Sequence, residues 1–381
     1  MSGWFTTFMN CRLCRGGELI EGDQLVVSDD TGDILYRTGY IGGDAVDLED
    51  GIIAPGFLEL QTNGMRGFHF THLEDSKSYA AKLQDIAEYL PSQGILPELK
   101  PRTYEDAASL LGAHAEGPYL HPAKKGAHND KHFFTPATPP VEVYGQSAAT
   151  SDVLKLVTLA PELDGSDSLI RSLTSRGIKV ALGHSTASYD QGLTALTAGA
   201  SGLTHTLNAM APLHHREPGL AGLVGAAPSN ATQSPYYSII SDGNHLHPSV
   251  ATMLFRANPS KCIVITDSIE LAGLEDGTYP GHAQIPHRQT KCASRVTIEG
   301  TDTLIGGCAS LQECVQNLMK WSGCNVAQAV RCVTENVSDF MGDNTRGKLE
   351  SGRRADFVVL DDEANVLQTW IAGKKVWERG Q

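Results

Sequence analysis

The stretch 178–210, IKVALGHSTASYDQGLTALTAGASGLTHTLNAM, contains two strand-like runs separated by a helix-like run. The first apolar run stops at His184 and the second stops at His205. Between them, YDQGLTALTAGA is long enough to form a helix. A strand, a helix and a second strand in this order are typical of a parallel βαβ unit. We therefore expect the two histidines at neighbouring strand ends.

Three further apolar runs stop at an ionisable residue in the same way. SLLGAHAEGP reaches Glu116, YYSIISDGNH reaches Asp242 and His245, and CIVITDS reaches Asp267. The segments between these runs can hold helices, and the series predicts an α/β fold of the (β/α)8 TIM-type barrel class. Active sites in that fold are assembled from the C-terminal ends of several strands.

Both ends of the chain show a different pattern, with short β-forming runs separated by Asp-Gly and Gly-Asp turns. Short strand sets of this kind cannot bury a core alone, so we expect the two ends to join. The predicted organisation is a small β-sandwich from residues 1–54 plus 344–381, with the barrel at 55–343. Two independent β-rich appendages are the alternative.

The length, net charge and cysteine content limit the classes of fold and binding partner. The 381 residues suit a barrel of about 250 residues with a smaller unit. A net charge of −14 argues against nucleic acid and against an anionic membrane surface, but it leaves a small anionic substrate open. The eight cysteines are scattered, unlike a disulfide framework, and no signal peptide or membrane span is evident. We expect a cytoplasmic protein.

The strand-end residues have the chemistry of a metal site. Glu116, His184 and His205 supply one carboxylate and two imidazoles, which matches a catalytic zinc that keeps one position open. Each histidine taken alone could instead be a hydrogen-bonding residue at the barrel rim. The occurrence of all three at strand ends, with the two histidines on tandem strands, favours the metal site.

Asp267 is the candidate acid/base residue. A carboxylate beside a metal site can take the proton of an attacking water and pass it to a leaving amine. A helix N-cap or a buried structural acid is the alternative for Asp267. His128, on the loop after Glu116, could stabilise an oxyanion. Asn208, Ala209, Arg216 and His245 could bind an oxyanion such as phosphate.

The ordered motifs resemble those of the N-acetylglucosamine-6-phosphate deacetylases of the amidohydrolase superfamily, from about Gly51 to the C-terminus. The motifs are APGFLELQTNG, AEGPYLHPAKKGAH, GHS, THTLNAMAPLHHREPG, DGNH, TDSIELAG and GGCASLQECVQN. The resemblance implies a metal-dependent barrel with a β-sandwich that hydrolyses the N-acetyl group of N-acetylglucosamine 6-phosphate. It also implies a homodimer in which the neighbouring subunit supplies a phosphate contact.

The same resemblance assigns the site residues. The implied metal ligands are Glu116, His184 and His205, and the implied acid/base residue is Asp267. The implied substrate contacts are Ala127, His128, Asn208, Ala209, Arg216, Asp242, Gly243, Asn244, His245, Leu304, Ile305 and Gly306.

The expected number of metal ions follows from a motif of other amidohydrolases that this chain lacks. Many amidohydrolases carry His-x-His after the first barrel strand, whereas this chain reads Gln61-Thr62-Asn63. Neutral amides are poor zinc ligands compared with imidazole or carboxylate. We therefore expect one divalent ion per subunit, with zinc as the expected metal.

The segment between Gly94 and Glu116 is shorter than the family pattern. A parallel crossover needs about 10–12 residues between strands, and the space before Glu116 barely provides them. One βα unit is therefore expected to be shortened. The shortened segment leaves open a weak or inactive paralogue or isoform of the barrel. A separate alternative is a cyclic-amide hydrolase of the same superfamily, against which the Gln-x-Asn pattern argues.

Overall fold

The computed structural model of the chain describes residues 4–36, 43–73, 75–95, 111–226, 233–282 and 285–380. The strands, in chain order, are β1 (Phe5–Arg15), β2 (Glu18–Ile20), β3 (Leu25–Ser28), β4 (Asp44–Pro55), β5 (Gly64–Met65), β6 (Phe68–His69), β7 (Ala113–Glu116), β8 (Leu154–Leu159), β9 (Lys179–Leu182), β10 (Gly202–Leu203), β11 (Tyr236–Ile239), β12 (Cys262–Val264), β13 (Gly277–Tyr279), β14 (Gln289–Cys292), β15 (Arg295–Ile298), β16 (Leu304–Gly307), β17 (Phe357–Leu360), β18 (Val366–Ile371) and β19 (Lys374–Glu378). The helices are α1 (Ser76–Tyr89), α2 (Pro140–Tyr144), α3 (Ser166–Ser175), α4 (Tyr189–Ala198), α5 (Pro248–Ala257), α6 (Leu311–Ser322), α7 (Val326–Arg331) and α8 (Glu335–Met341).

The chain divides into two compact units. The first comprises residues 1–60, 68–110 and 310–381, and the second comprises residues 61–67 and 111–309. No helix among the described residues has both the length and the apolar character needed to cross a membrane.

The second unit is built on a parallel sheet of six strands in the order β12-β11-β10-β9-β8-β7. Sequential strands are neighbours, and α3, α4 and α5 lie in the connections β8–β9, β9–β10 and β11–β12. Strands β8 and β12 are almost wholly buried, as expected of parallel strands covered on both faces. Because all six strands run in the same direction, the residues that follow them share one edge of the sheet.

The strand that carries Glu116 forms despite the short segment before it. Strand β7 pairs with β8 in parallel register, with Ala115 opposite Val157 and Glu116 opposite Thr158. The predicted loss of part of a βα unit concerns residues 94–116, of which 96–110 lie outside the described residues. The prediction about that shortened unit therefore remains a prediction.

An antiparallel sheet, β13-β14-β15-β16, follows the last parallel strand of the second unit. Val296 and Ile305 of this sheet form one buried apolar cluster with Ile269, Leu271 and Ile285. The segment after the CIVITDS run therefore forms a β-insertion. The last strand returns toward the parallel sheet, because the Ile269 backbone N–H donates to the Gly307 carbonyl at 3.1 Å.

In the first unit, the two ends of the chain meet in one mixed sheet of seven strands. The order is β19-β18-β17-β4-β1-β2, with β3 paired to β1. Strand β17 runs antiparallel to β4, so residues near the C-terminus pair with residues 52–55. This pairing confirms that the two β-rich ends join rather than forming independent appendages.

Short sequence signals explain where the helices begin. Ser188 at the start of α4 and Ser310 at the start of α6 each accept from the backbone N–H three residues later. Gln191 and Glu313 reach back to the N-cap backbone and complete two capping boxes. Helix α1 begins after Asp75, whose carboxylate accepts from two backbone N–H groups.

The core of the terminal sheet gives a stability prediction. Phe8 is fully buried, and its ring centroid lies 4.9 Å from that of Phe357 and 4.8 Å from that of Trp370. We expect Phe8→Ala to lower the free energy of unfolding of this unit by about 3–5 kcal/mol, because the substitution leaves a cavity. Guanidinium unfolding followed by tryptophan fluorescence measures the loss.

Trp4→Ala is the matched control, since Trp4 is 74% exposed and its loss leaves no cavity. We expect that variant to unfold with nearly the wild-type midpoint. A Phe8→Ala midpoint equal to that of the control would show that this aromatic cluster does not hold the sheet together.

Candidate active site

One carboxylate and two imidazoles converge at the C-terminal edge of the parallel sheet. Glu116 Oε1 lies 3.1 Å from His184 Nε2 and 2.8 Å from His205 Nε2. The two Nε2 atoms are themselves 3.1 Å apart. On the other side of the carboxylate, His128 Nε2 lies 3.2 Å from Glu116 Oε2. The three residues predicted as metal ligands are thus brought together, with His128 beside them.

The donor set fits a cation. His184 Nδ1 donates to the Lys124 carbonyl at 2.7 Å, so the lone pair of its neutral ring lies on Nε2 and faces the cluster. His205 Nε2, when protonated, can donate to His184 Nε2 across 3.1 Å, and both nitrogens can face a cation when they are not. The nitrogen and oxygen atoms of Glu116, His128 and His184 that could bind a metal all lie within 4.8 Å of one another. The structure therefore contains a candidate metal-binding site.

The pKa shifts of the cluster also favour a bound cation. Burial alone would raise the pKa of Glu116, but the electrostatic interaction with His184 and hydrogen bonds from His128, His184 and His205 hold that pKa well below its usual range. Burial lowers the pKa of His184. Burial also acts to lower the pKa of His205, but the hydrogen bond and charge of Glu116 raise it to about 9. A divalent ion would take the place of that proton as the positive partner of Glu116.

Three of the strand-end residues have strained backbones. His184, His205 and Asp267 have φ values of 49°, 31° and 46°, in the left-handed region that non-glycine residues rarely adopt. Neighbouring segments hold them there: the His205 N–H donates to Ser238 Oγ at 2.7 Å, for example. Such strain clusters at functional sites, where it aims a side chain that relaxed geometry would turn away.

Asp267 is held by two amides from the segment after residue 60. Gln61 Nε2 lies 3.2 Å and Asn63 Nδ2 lies 2.9 Å from Asp267 Oδ1. Gln61 Nε2 also donates to Glu116 Oε1 at 3.0 Å. Gln61 and Asn63 were predicted only to be poor zinc ligands, and these hydrogen bonds were not predicted. Their i, i+2 spacing was the available signal, since it puts both side chains on one face of an extended segment.

The predicted turn after β11 is closed by its own aspartate. Asp242 Oδ1 accepts from the backbone N–H groups of Asn244 and His245, both at 2.9 Å, and Oδ2 accepts from His245 Nδ1 at 2.8 Å. Burial acts to raise the pKa of Asp242, but the His245 hydrogen bond and charge lower it below its usual value. Gly243 lies within this turn.

Strand β16 brings Leu304, Ile305 and Gly306 toward the same region. A Cβ atom on Gly307 would lie 3.3 Å from Asp242 Oδ2 and 3.5 Å from His245 Cε1, so the end of β16 abuts the turn. Asn244 Nδ2 also donates to Ser294 Oγ at 3.0 Å, which ties the turn to the β14–β15 hairpin. These two predicted groups are therefore adjacent.

The remaining predicted contacts differ in exposure. Asn208 Nδ2 is buried and has no hydrogen-bond partner within the described part of the chain, and the Asn208 backbone N–H donates to the His205 carbonyl at 2.9 Å. The Ala209 carbonyl accepts from Ser185 N–H at 3.0 Å. Ala127 and Arg216 are exposed. The structure therefore brings Asn208 and Ala209 beside the histidines, whereas the Arg216 guanidinium makes no hydrogen bond to a described residue.

Glu162, which follows β8, was not predicted as a site residue. Its carboxylate accepts from Ser185 Oγ at 2.6 Å and from Thr186 Oγ1 at 3.0 Å. These bonds anchor the turn that follows His184. The available signal was its position, because Glu162 also follows an apolar strand in the parallel sheet.

Sequence relatives and solved structures resemble this chain along nearly its whole length. A model described as the amidohydrolase family matches residues 219–376. N-acetylglucosamine-6-phosphate deacetylase of Caenorhabditis elegans is 33% identical over 395 residues, covering 97% of this chain and 94% of the relative. The enzyme of that name from Homo sapiens is 32% identical over 394 residues, covering 97% and 95%.

Two solved structures agree with this chain in fold. N-acetylglucosamine-6-phosphate deacetylase of Pasteurella multocida superimposes with a TM-score of 0.83 at 25% identity, covering 98% of this chain and 99% of that one. A mutant of the Mycobacterium smegmatis enzyme in complex with N-acetyl-D-glucosamine-6-phosphate gives 0.80 at 26% identity, covering 99% and 100%. The predicted fold class, a TIM-type barrel with a β-sandwich, is confirmed. This chain belongs to the N-acetylglucosamine-6-phosphate deacetylase family of amidohydrolases.

Proposed function

We propose that this chain hydrolyses the N-acetyl group of N-acetylglucosamine 6-phosphate to give glucosamine 6-phosphate and acetate. The observation that carries the proposal is the convergence of Glu116, His184 and His205 beside Asp267 at one edge of the parallel sheet. The family relationship over 97% of the chain supports the choice of substrate.

The proposed cofactor is one divalent ion per subunit, with zinc as the expected metal. Glu116, His184 and His205 would hold it, because their Oε1, Nε2 and Nε2 atoms face one another. Gln61 and Asn63 offer amides already engaged with carboxylates, which supports a single ion. When bound, the ion supplies Lewis acidity toward the acetamide carbonyl and the attacking water.

The chain's own residues account for the proton transfers. Asp267 takes a proton from the water as its oxygen attacks the acetamide carbon. His128 donates a hydrogen bond to the carbonyl oxygen as that oxygen gains negative charge. Asp267 then gives its proton to the sugar nitrogen while the C–N bond breaks. The product acid keeps the second hydrogen of the water and releases it to the free amine or to solvent, which leaves acetate. Asp267 is returned to its starting charge.

Substrate orientation is assigned to the surrounding loops. The buried, unpaired Nδ2 of Asn208 and the fixed ring of His245 support their proposed role as polar contacts. The exposed Arg216 supports a role in meeting the phosphate from solvent. The full proposed contact set is Ala127, His128, Asn208, Ala209, Arg216, Asp242, Gly243, Asn244, His245, Leu304, Ile305 and Gly306.

Further proposals concern the domains, the oligomeric state, the compartment and the partners of the enzyme. We retain a sandwich domain of residues 1–54 plus 344–381 and a barrel domain of residues 55–343. We also propose a homodimer in the cytoplasm that has no nucleic-acid or membrane partner. The acidic net charge of −14 supports the absence of a polyanionic partner.

Asp267→Asn tests the acid/base assignment. The amide has the size of the carboxylate but cannot accept the proton, so we expect kcat for acetate release to fall about 10²–10⁴-fold. Metal content should stay at the wild-type level. Asp302→Asn is the matched control, because the Asp302 side chain is 99% exposed, and it should keep wild-type turnover. A near-normal rate in Asp267→Asn would remove Asp267 from this role.

His184→Gln tests the metal ligand set. We expect the metal bound per purified chain to fall to a small fraction of the wild-type amount, because one of three ligands is lost from a closed cluster. His132→Gln is the control, since His132 is exposed on the loop that follows Glu116. Elemental analysis gives the readout. Full metal content in His184→Gln would contradict the ligand assignment, and metal-free, inactive wild-type protein would favour the inactive-isoform alternative.

The 4-epimer of the substrate is a second candidate. N-acetylgalactosamine-6-phosphate deacetylase of Escherichia coli O157:H7 is 34% identical over 274 residues, covering 70% of this chain and 68% of that relative. We expect kcat/KM to favour the glucose epimer, because the relatives named for it match 97% of the chain. Acetate release from the two epimers at limiting concentration decides the preference. A higher kcat/KM for the galactose epimer would reverse the assignment.

A further inference from the structure

Two side-chain amides converge on a single oxygen of Asp267. Asn63 Nδ2 lies 2.9 Å and Gln61 Nε2 lies 3.2 Å from Oδ1. The other oxygen, Oδ2, receives no hydrogen bond from any residue that the structure describes. The carboxylate is therefore held from one side only.

Electrostatics fixes which end of each amide faces the carboxylate. An amide oxygen turned toward a carboxylate would set two acceptors against each other, whereas the NH₂ group donates. Gln61 Nε2 has two hydrogens and uses them on two carboxylates, Asp267 Oδ1 and Glu116 Oε1 at 3.0 Å. Gln61 thus lies between two acidic side chains and is only 6% exposed.

The backbone puts both amides in register with Asp267. The Asp267 N–H donates to the Gln61 carbonyl at 3.1 Å, and the Asn63 N–H donates to the Ser268 carbonyl at 2.7 Å. Side chains alternate along an extended segment, so Gln61 and Asn63 point to one side and Thr62 points to the other. Thr62 Oγ1 accordingly meets Ser268 Oγ at 2.8 Å.

We propose that Gln61 and Asn63 are positioning residues, which fix the Asp267 carboxylate through Oδ1 and leave Oδ2 facing the reaction. The inference deepens the proposed function and rests on it. Asp267 has a strained backbone, with φ at 46°, so its side chain needs such support to keep one orientation. The Gln-x-Asn segment thus has a function of its own in catalysis, rather than marking only the loss of metal ligands.

Neutral isosteres remove the donors without adding charge or a metal ligand. We expect Asn63→Leu and Gln61→Leu each to lower kcat about 10–100-fold, in the range for residues that orient a reacting group. KM and bound metal per chain should stay at wild-type values. Thr62→Val is the matched control on the same segment and should keep wild-type kcat. Asn63→Ala serves if the leucine variant does not fold.

A double-variant cycle separates positioning from a general structural effect. In an Asp267→Ala background, Asn63→Leu should cause no further loss of residual acetate release, because the residue acts through Asp267. An equal fold-loss in both backgrounds would overturn the proposal. Wild-type kcat in both the Asn63 and the Gln61 single variants would also overturn the proposal. So would a loss of kcat that is proportional to a loss of bound metal.

Thermal unfolding of the same four proteins needs no turnover. The shared hydrogen bond predicts that the Tm loss of the double variant is smaller than the sum of the two single losses. Additive Tm losses would overturn the Asn63–Asp267 pairing even in an active enzyme. If the Tm losses are coupled but the wild-type protein releases no acetate, the Asn63–Asp267 pairing stands and the proposed reaction is rejected.

Discussion

The buried carboxylate of Glu116 is the constraint on which the site depends. A carboxylate away from water is costly unless opposite charges and hydrogen bonds surround it. His128, His184 and His205 supply these from a loop and two further strand ends, and Gln61 supplies a neutral donor. With its negative charge held in this way, Glu116 becomes the centre around which a cation can be bound.

The parallel sheet makes this convergence possible. Glu116 ends β7, whereas His184 and His205 lie two residues beyond β9 and β10. The left-handed φ values of the two histidines turn their chains sharply enough to bring both Nε2 atoms to one carboxylate oxygen. The loop that carries His128 is fixed to the same cluster, because the Lys124 carbonyl accepts from His184 Nδ1. The parallel sheet, the strained turns and the loop therefore all contribute to bringing the four side chains together.

Much of this arrangement could be predicted from the sequence because it follows from strand direction. Glu116, His184 and His205 each follow an apolar run, and parallel strands bring such positions to one edge. The hydrogen bonds of Gln61 and Asn63 could not be predicted, since they depend on the register between residues 61–63 and a segment some 200 positions later. The orientation of Arg216, on an exposed loop, has no such periodic signal either.

The central claim is that the Glu116 cluster and Asp267 together make a metal-dependent amidohydrolase. The most direct test measures acetate and glucosamine 6-phosphate formed from N-acetylglucosamine 6-phosphate by the purified chain. The chain is assayed as isolated, after chelation, and after zinc is restored. The account predicts equal amounts of the two products, loss of both on chelation, and recovery with zinc at about one ion per chain. Acetate release that persists in fully metal-free protein would contradict it.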